Sequence, residues 1–527
     1  MPGVFVALAL VGTCVSCESS NDPSAETGQN GIGGDLSTVV VAQGTLHGLV
    51  DAKHREFLGI PFGAPPLGDL RFRPPKAAPS WSGVREATQF GSSCPQPPVI
   101  GGAASTNEDC LYLNVYTPLK GSKLPVMVWI HGGGFFLGAG SQFDGATMAN
   151  RGNVIVVTIN YRLSVLGFLS IPGLAAENAN GASGDYGLMD QQAALGWVKA
   201  NVAKFGGDAD NVTIFGESAG GGSVVAHLAS PTSSGLFHKA VIQSGPAGAD
   251  TKEASYAKGK ALVESAGCTN SDPAAEVACM RAAPVMALMG NGSLTIDGVT
   301  LTSSPNEVIT SGKFNKVPVL QGSNLYEGRA LAYPNFDFTA PVPTADEYVA
   351  QITGRFGAAA DGVLAQYPAS NFSTTREASA AVLGDSSFSC AARALTRNLT
   401  AQGISVYAYE FQDPNPPSPI PNVPLGPTHG TEIVYVFQGM ASLADVTMLT
   451  ATQLKLSDQM LLYWTNFAHN GNPNGNGLPQ WDTYKDSADS FIRLTSESPG
   501  IGMFNSFKDD HHCDFWATLG ELQLPSL

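Results

Sequence analysis

The chain has 527 residues, and 28 basic against 44 acidic side chains leave a formal charge of −16, with 43% apolar and only 14% charged residues. So acidic a surface repels phosphate backbones and anionic headgroups, and no Lys/Arg-rich run interrupts it, which argues against nucleic-acid partners and polybasic membrane attachment. The apolar content excludes wholesale disorder, and 60 Gly and 35 Pro scattered without period exclude a collagen-like repeat.

Residues 4–15 are almost continuously apolar. The run is shorter than the ~20 residues that span a bilayer, but it has the length of the core of an export signal. Small residues precede Cys17, and 18–35 is polar and rich in Gly, Ser and Asn. The expectation is a lipoprotein-type signal over 1–17 with Cys17 lipidated (Cys14 is the alternative), a flexible tether over 18–35 and a folded domain over 36–527. Ordinary cleavage nearby would leave a free exported protein. Either way the chain is expected outside the cytoplasm: secreted, periplasmic or anchored to the cell envelope, with membrane contact only through the lipid.

Two short strands, 38–43 and 45–50, are predicted around a turn at Gly44, followed by an irregular, Pro-rich region over 61–98. Regular structure is expected to resume at Leu124. The runs 124–130, 154–160, 212–215, 240–243 and 317–321 are apolar and β-branched without polar alternation, the mark of strands buried on both faces. Helix-like segments at 187–202 and 218–228 alternate with them, as in an α/β protein built on a parallel sheet. Further helices are predicted over 254–266, 344–355 and 375–402, and another strand over 405–411. The run 413–427, with seven prolines, reads as a surface loop. One large domain with inserted excursions is expected.

Setting aside Cys14 and Cys17, six of the eight cysteines remain, and none shows the close spacing of a zinc or redox motif. Disulfides are expected, in keeping with an oxidising compartment. Cys94 with Cys110 and Cys268 with Cys279 would close short loops, leaving Cys390 and Cys513, but sequence leaves the connectivity open.

The strand at 212–215 runs directly into Gly216-Glu217-Ser218-Ala219-Gly220 and then a helix, the context that gives a GxSxG pentapeptide meaning. Ser218 is the candidate nucleophile, and the Ala219 amide, at a helix N-terminus, is placed to stabilise developing negative charge. After the strand 124–130 come His131-Gly132-Gly133-Gly134. Only glycines allow backbone N–H groups so close to a reacting oxygen, so Gly133 and Gly134 are the other expected oxyanion donors. Acid and base should follow the serine in that order. Of His429, His469, His511 and His512, His429 is chosen as base: it closes the Pro-rich loop, precedes Gly430 and leads into the helix-like run 433–437. Glu327, just beyond the strand 317–321, is the candidate acid, with Asp337, Asp346, Asp361 and Asp385 as competitors.

These features, with the lead-in FGGDADNVTIFGESAGG, EDCLYLNVYTP at 108–118, NYR at 160–162, GLMDQ at 187–191 and HGT at 429–431, resemble the type-B carboxylesterases, which include the cholinesterases. The resemblance runs from Leu36 to the carboxyl end. It implies an α/β-hydrolase fold, a large and mostly parallel sheet flanked by helices, with inserted loops and helices forming a gorge. It selects Glu327 over the aspartates. It also implies the disulfides Cys94–Cys110, Cys268–Cys279 and Cys390–Cys513, an Arg71–Glu108 ion pair, and supporting hydrogen-bond roles for Glu217 and Ser244. The expected reaction is hydrolysis of a small-molecule carboxylic ester through an acyl-enzyme, needing no metal or cofactor. Phe135, Phe136 and Leu137 would form either an apolar wall beside the acyl site or core packing, the first suiting apolar or aromatic esters of short to medium chain. The rival readings are a non-catalytic recognition protein on the same fold and an amide or carbamate hydrolase with the same triad.

Overall fold

The apolar, β-branched runs form the centre of one large sheet. The structure, a computed structural model, describes residues 35–98, 104–245, 248–334, 337–418, 423, 425–438 and 448–520. The expected signal and tether, with Cys14 and Cys17, lie outside the described residues except for Asp35, as does part of the loop 413–427. In chain order the strands are β1 (Thr38–Val41), β2 (Gly44–His47), β3 (Leu49–Val50), β4 (His54–Pro61), β5 (Val84–Glu86), β6 (Tyr112–Pro118) and β7 (Leu124–Ile130). They continue with β8 (Ile155–Ile159), β9 (Gly207–Glu217), β10 (Lys239–Gln243), β11 (Val319–Asn324), β12 (Val406–Phe411), β13 (Phe491–Leu494) and β14 (Gly502–Phe504).

Eleven strands make the main sheet in the order β14-β13-β12-β11-β10-β9-β7-β8-β6-β4-β3, while β1, β2 and β5 form a small separate sheet. Pairing is parallel from β8 through β13 and antiparallel at both margins. Along β7 the side chains alternate between two cores. Val126, Val128 and Ile130 pack with residues of the helices Tyr186–Asn201 and Ala219–Ala229, whereas Met127 and Trp129 pack with those of the helix Ala451–Asn470. Each such side chain contributes roughly 1.5–3 kcal/mol by leaving water, which is why the strand is apolar at every position rather than at alternate ones. Among the described residues no helix is long and apolar enough to cross a membrane.

Three expectations need correction. The first turn falls at 42–43, so Gly44 opens β2, and the run 45–50 breaks at Gly48, whose α-carbon lies so close to the Glu56 carbonyl and the Phe57 ring that a side chain would collide with both. Regular structure is present before Leu124, in β4 and β6, where polar residues interleave with apolar ones. The helix expected over 375–402 is two helices, Thr375–Gly384 and Cys390–Ala401, separated by a π-helical turn at Asp385–Ser389. The Asp385 carboxylate is held there by the Tyr367 hydroxyl at 2.7 Å and His511 Nδ1 at 2.6 Å, contacts from distant parts of the chain that local periodicity cannot register.

Candidate active site

The parallel strands β7, β9, β10 and β11 end on the same edge of the sheet, where open α/β folds place their ligands. From β9 the chain turns through Ser218 into the helix Ala219–Ala229. Ser218 adopts φ 57°, ψ −124°, a strained conformation for a side-chain-bearing residue, and is held in it from both sides. Its N–H donates to Gln243 O at 2.9 Å, and its carbonyl accepts from Gly222 N–H at 2.8 Å. The turn is this tight because residue 220 has no side chain: a Cβ there would overlap the Ile130 carbonyl. The Ala219 N–H opens the helix, so it has no partner within it.

Glu327 lies three residues beyond β11 and is 1% exposed. Its Oε1 accepts from Ser244 Oγ at 2.5 Å and from Asn324 N–H at 2.7 Å, while Oε2 accepts from His429 Nδ1 at 2.6 Å. The His429 ring rests on Phe388, centroids 4.7 Å apart. Among the described residues no hydrogen bond joins Ser218 Oγ to that ring, and Nε2 faces Glu217 Oε1 at 3.2 Å. Burial disfavours the charged imidazole, but the Glu217 and Glu327 carboxylates outweigh it and lift His429 to about 9. Burial likewise lifts Glu217 to about 8 against the opposing pull of His429. Two groups so close share their protons and titrate as a pair.

Sequence reasoning did not find Glu432. This buried carboxylate accepts from Asn324 Nδ2 at 2.6 Å and Gln243 Nε2 at 3.0 Å, and Asn324 Nδ2 also donates to Thr428 O at 2.8 Å. The network ties the segment before His429 to the ends of β10 and β11. Its only sequence signal is an acidic residue three places after the histidine, which is too common to read.

The glycine loop after β7 reaches the same place. Gly133 has φ 103°, and its carbonyl is turned into the loop to accept from Phe136 N–H at 2.9 Å and Leu137 N–H at 3.0 Å. Gly132 lies so close to Glu217 and Ser218 that a Cβ on it would come within 2.7 Å of Glu217 Oε2 and 3.0 Å of Ser218 Cβ. Gly134 is exposed. His131 stacks on Tyr161 at 4.4 Å, and burial drops its pKa to about 4, so it is a neutral support. Phe135 packs on Phe168 and the core, centroids 4.9 Å apart, while Phe136 and Leu137 are half-buried.

Other motif residues have structural work. Tyr161 donates its hydroxyl to His131 O at 2.8 Å, and Arg162 makes a two-pronged ion pair with Asp190 at 2.7 and 2.8 Å. Arg71 pairs with Glu108 at 2.8 and 2.5 Å. The disulfides are Cys94–Cys110, Cys268–Cys279 and Cys390–Cys513. Two rejected candidates, Asp385 and His511, bind each other, with His511 Nε2 on Glu410 at 2.5 Å. Asp337 holds Thr339, Asp346 and Asp361 sit in first helical turns, and His469 ends a helix.

A mostly parallel sheet flanked by helices, with a strained serine at the turn from a central strand into a helix, defines an α/β-hydrolase. A model of the carboxylesterase family matches residues 35–516. The chain belongs to that family and is a hydrolase of carboxylic esters. It is 35% identical over 492 residues to a fumonisin B1 esterase of Sphingopyxis macrogoltabida, covering 86% of each chain. It is 38% identical over 532 residues to the precursor of a medium-chain fatty acyl-CoA hydrolase of Anas platyrhynchos, covering 92% of each. With a cocaine esterase of Homo sapiens it shares 36% identity over 499 residues, 87% of this chain and 86% of the relative.

Proposed function

We propose that Ser218 attacks the ester carbonyl while His429 takes the hydroxyl proton, that Glu327 orients the imidazole and stabilises its charge, and that water then releases the acid from the acyl-enzyme. The single observation that carries this reading is the 2.6 Å hydrogen bond from His429 Nδ1 to a buried carboxylate whose other oxygen accepts from Ser244 and Asn324, beside the strained Ser218 turn. The N–H groups of Gly133, Gly134 and Ala219 take the oxyanion, and loss of any one of them is expected to raise the barrier by about 3 kcal/mol. Glu217 and Ser244 support the base and the acid respectively.

Phe136 and Leu137 beside the oxyanion loop and Phe388 over the imidazole favour apolar or aromatic acyl groups of short to medium length. One relative's name, that of a medium-chain fatty acyl-CoA hydrolase, supports that range. Residues 1–17 act as an export signal, with Cys17 lipidated and 18–35 as tether. The disulfides support this reading, because they require an oxidising compartment.

The test is labelling with a fluorophosphonate, mapping of the modified residue, and turnover of p-nitrophenyl esters from acetate to palmitate. Labelling of Ser218, fastest turnover of the shorter chains and loss of both activities in Ser218→Ala are expected. A Ser218→Ala enzyme with full turnover would refute the assignment.

A further inference from the structure

The oxyanion loop is gripped from outside by a residue that takes no part in the chemistry described so far. Gln96 is 3% exposed and lies inside the loop closed by Cys94–Cys110. Its side-chain amide meets the backbone of Gly138 in both directions: Gly138 N–H donates to Gln96 Oε1 at 2.9 Å, and Gln96 Nε2 donates to Gly138 O at 2.9 Å. Nε2 also donates to Cys94 O at 3.1 Å, so both amide hydrogens are used. Buried and fully engaged, this amide is costly to remove, because each partner it leaves unmet loses about 1–3 kcal/mol.

The grip has a hydrogen-bonded base. The backbone of Gln96 exchanges hydrogen bonds with Ser105 at 2.9 and 3.0 Å. Asn160 fastens the surroundings, donating from Nδ2 to Ser92 O and Cys110 O, each at 3.0 Å, and accepting from Gly140 N–H at 2.8 Å. Gly138 in turn lies against the His131 ring and the Gly132 carbonyl, too close for a side chain. The segment from His131 to Gly138 therefore has two fixed ends, β7 at one and Gln96 at the other. Between them stand Gly133 and Gly134, glycines with φ of 103° and 61°, whose N–H directions depend on those ends holding still.

We infer that Gln96 is a positioning residue that aims the Gly133 and Gly134 N–H groups at the developing oxyanion, with the Cys94–Cys110 loop as its frame. The inference rests on reading those two glycines as oxyanion donors. Oxyanion stabilisation depends on donors fixed before the charge appears, so a loosened loop weakens the transition state more than the bound ester.

Three variants of the full chain test it: Gln96→Met, which fills the space without hydrogen bonds, Gln96→Glu, and Gly133→Ala as a direct disturbance of a donor. For each, kcat and KM are measured on a p-nitrophenyl ester, together with inhibition by a trifluoromethyl ketone, whose tetrahedral adduct carries the oxyanion. For Gln96→Met the expected result is kcat and ketone affinity each lowered about tenfold or more, with KM unchanged within about twofold. Should Gln96→Met fail to fold, Gln96→Glu decides. A protonated carboxyl can reproduce both contacts with Gly138 and an ionised one cannot, so its kcat relative to wild type should rise as pH falls. Folded Gln96→Met with kcat and ketone affinity within about twofold of wild type overturns the role of Gln96, provided Gly133→Ala has lost ketone affinity. So does a Gln96→Glu ratio that is flat with pH. If Gly133→Ala also keeps full ketone affinity, the donor assignment itself falls.

Discussion

His429 stands between two carboxylates, Glu327 on Nδ1 and Glu217 near Nε2, and the second lies against the nitrogen that takes the serine proton in the proposed mechanism. Replacing Glu217 by Gln removes a negative neighbour. The imidazolium is then less favoured, the ring releases its proton at lower pH, and the acid limb of kcat/KM should move down in pH, as measured on a soluble acetate ester. A limb that stays in place or moves up would show that Glu217 does not hold His429 charged. Residues of this kind differ in how far the sequence exposes them. Ser218 and His429 stand out as candidates in the sequence because a strand, a turn and the order expected of a triad restrict the choice. The proposed acid, Glu327, needs the family resemblance, since an acid beyond a strand end has several equivalents. Glu432, Phe388 and Gln96 are not legible, because each acts through contacts with residues far away in the chain.

At the level of elements, the ion pair Arg162–Asp190 joins the segment just beyond β8 to the helix Tyr186–Asn201. Both partners are buried, at 3% and 0% side-chain exposure. Arg162→Met should cost about 3–5 kcal/mol in urea unfolding, because it strands the Asp190 carboxylate in the interior. The double variant Arg162→Met/Asp190→Leu should recover part of that loss, and a double variant as unstable as the sum of the singles would show that the pair is not coupled. The central strands are legible because burial on both faces writes an unbroken apolar run. The marginal strands β4 and β6 mix polar and apolar residues, and β13 and β14 are short, so their pairing has to be seen. The break between Thr375–Gly384 and Cys390–Ala401 likewise falls where Asp385 bonds to His511 and Tyr367, contacts that its local sequence does not announce.

Across the whole molecule, the Cys390–Cys513 bond joins residues 123 apart and encloses His429, while Ser218 and Glu327 precede the loop it closes. Closing a loop of that size restrains the unfolded chain by about 5 kcal/mol in the chain-entropy picture. Cys390→Ala/Cys513→Ala should therefore lower unfolding stability by a few kcal/mol, up to about 5, with the midpoint read by circular dichroism. A variant as stable as wild type would make that bond dispensable to the fold. The large parallel sheet flanked by helices is legible from the alternation of strand and helix, whereas the pairing of β13 and β14 at its margin is not. The Cys390–Cys513 loop also implies a timetable. In the proposed triad the nucleophile and the acid precede the base in the order of synthesis, and Cys513, which closes the loop enclosing the base, follows all three. On that reading Ser218 is made before either of its partners, and the protein acquires its reactive group before the means to use it.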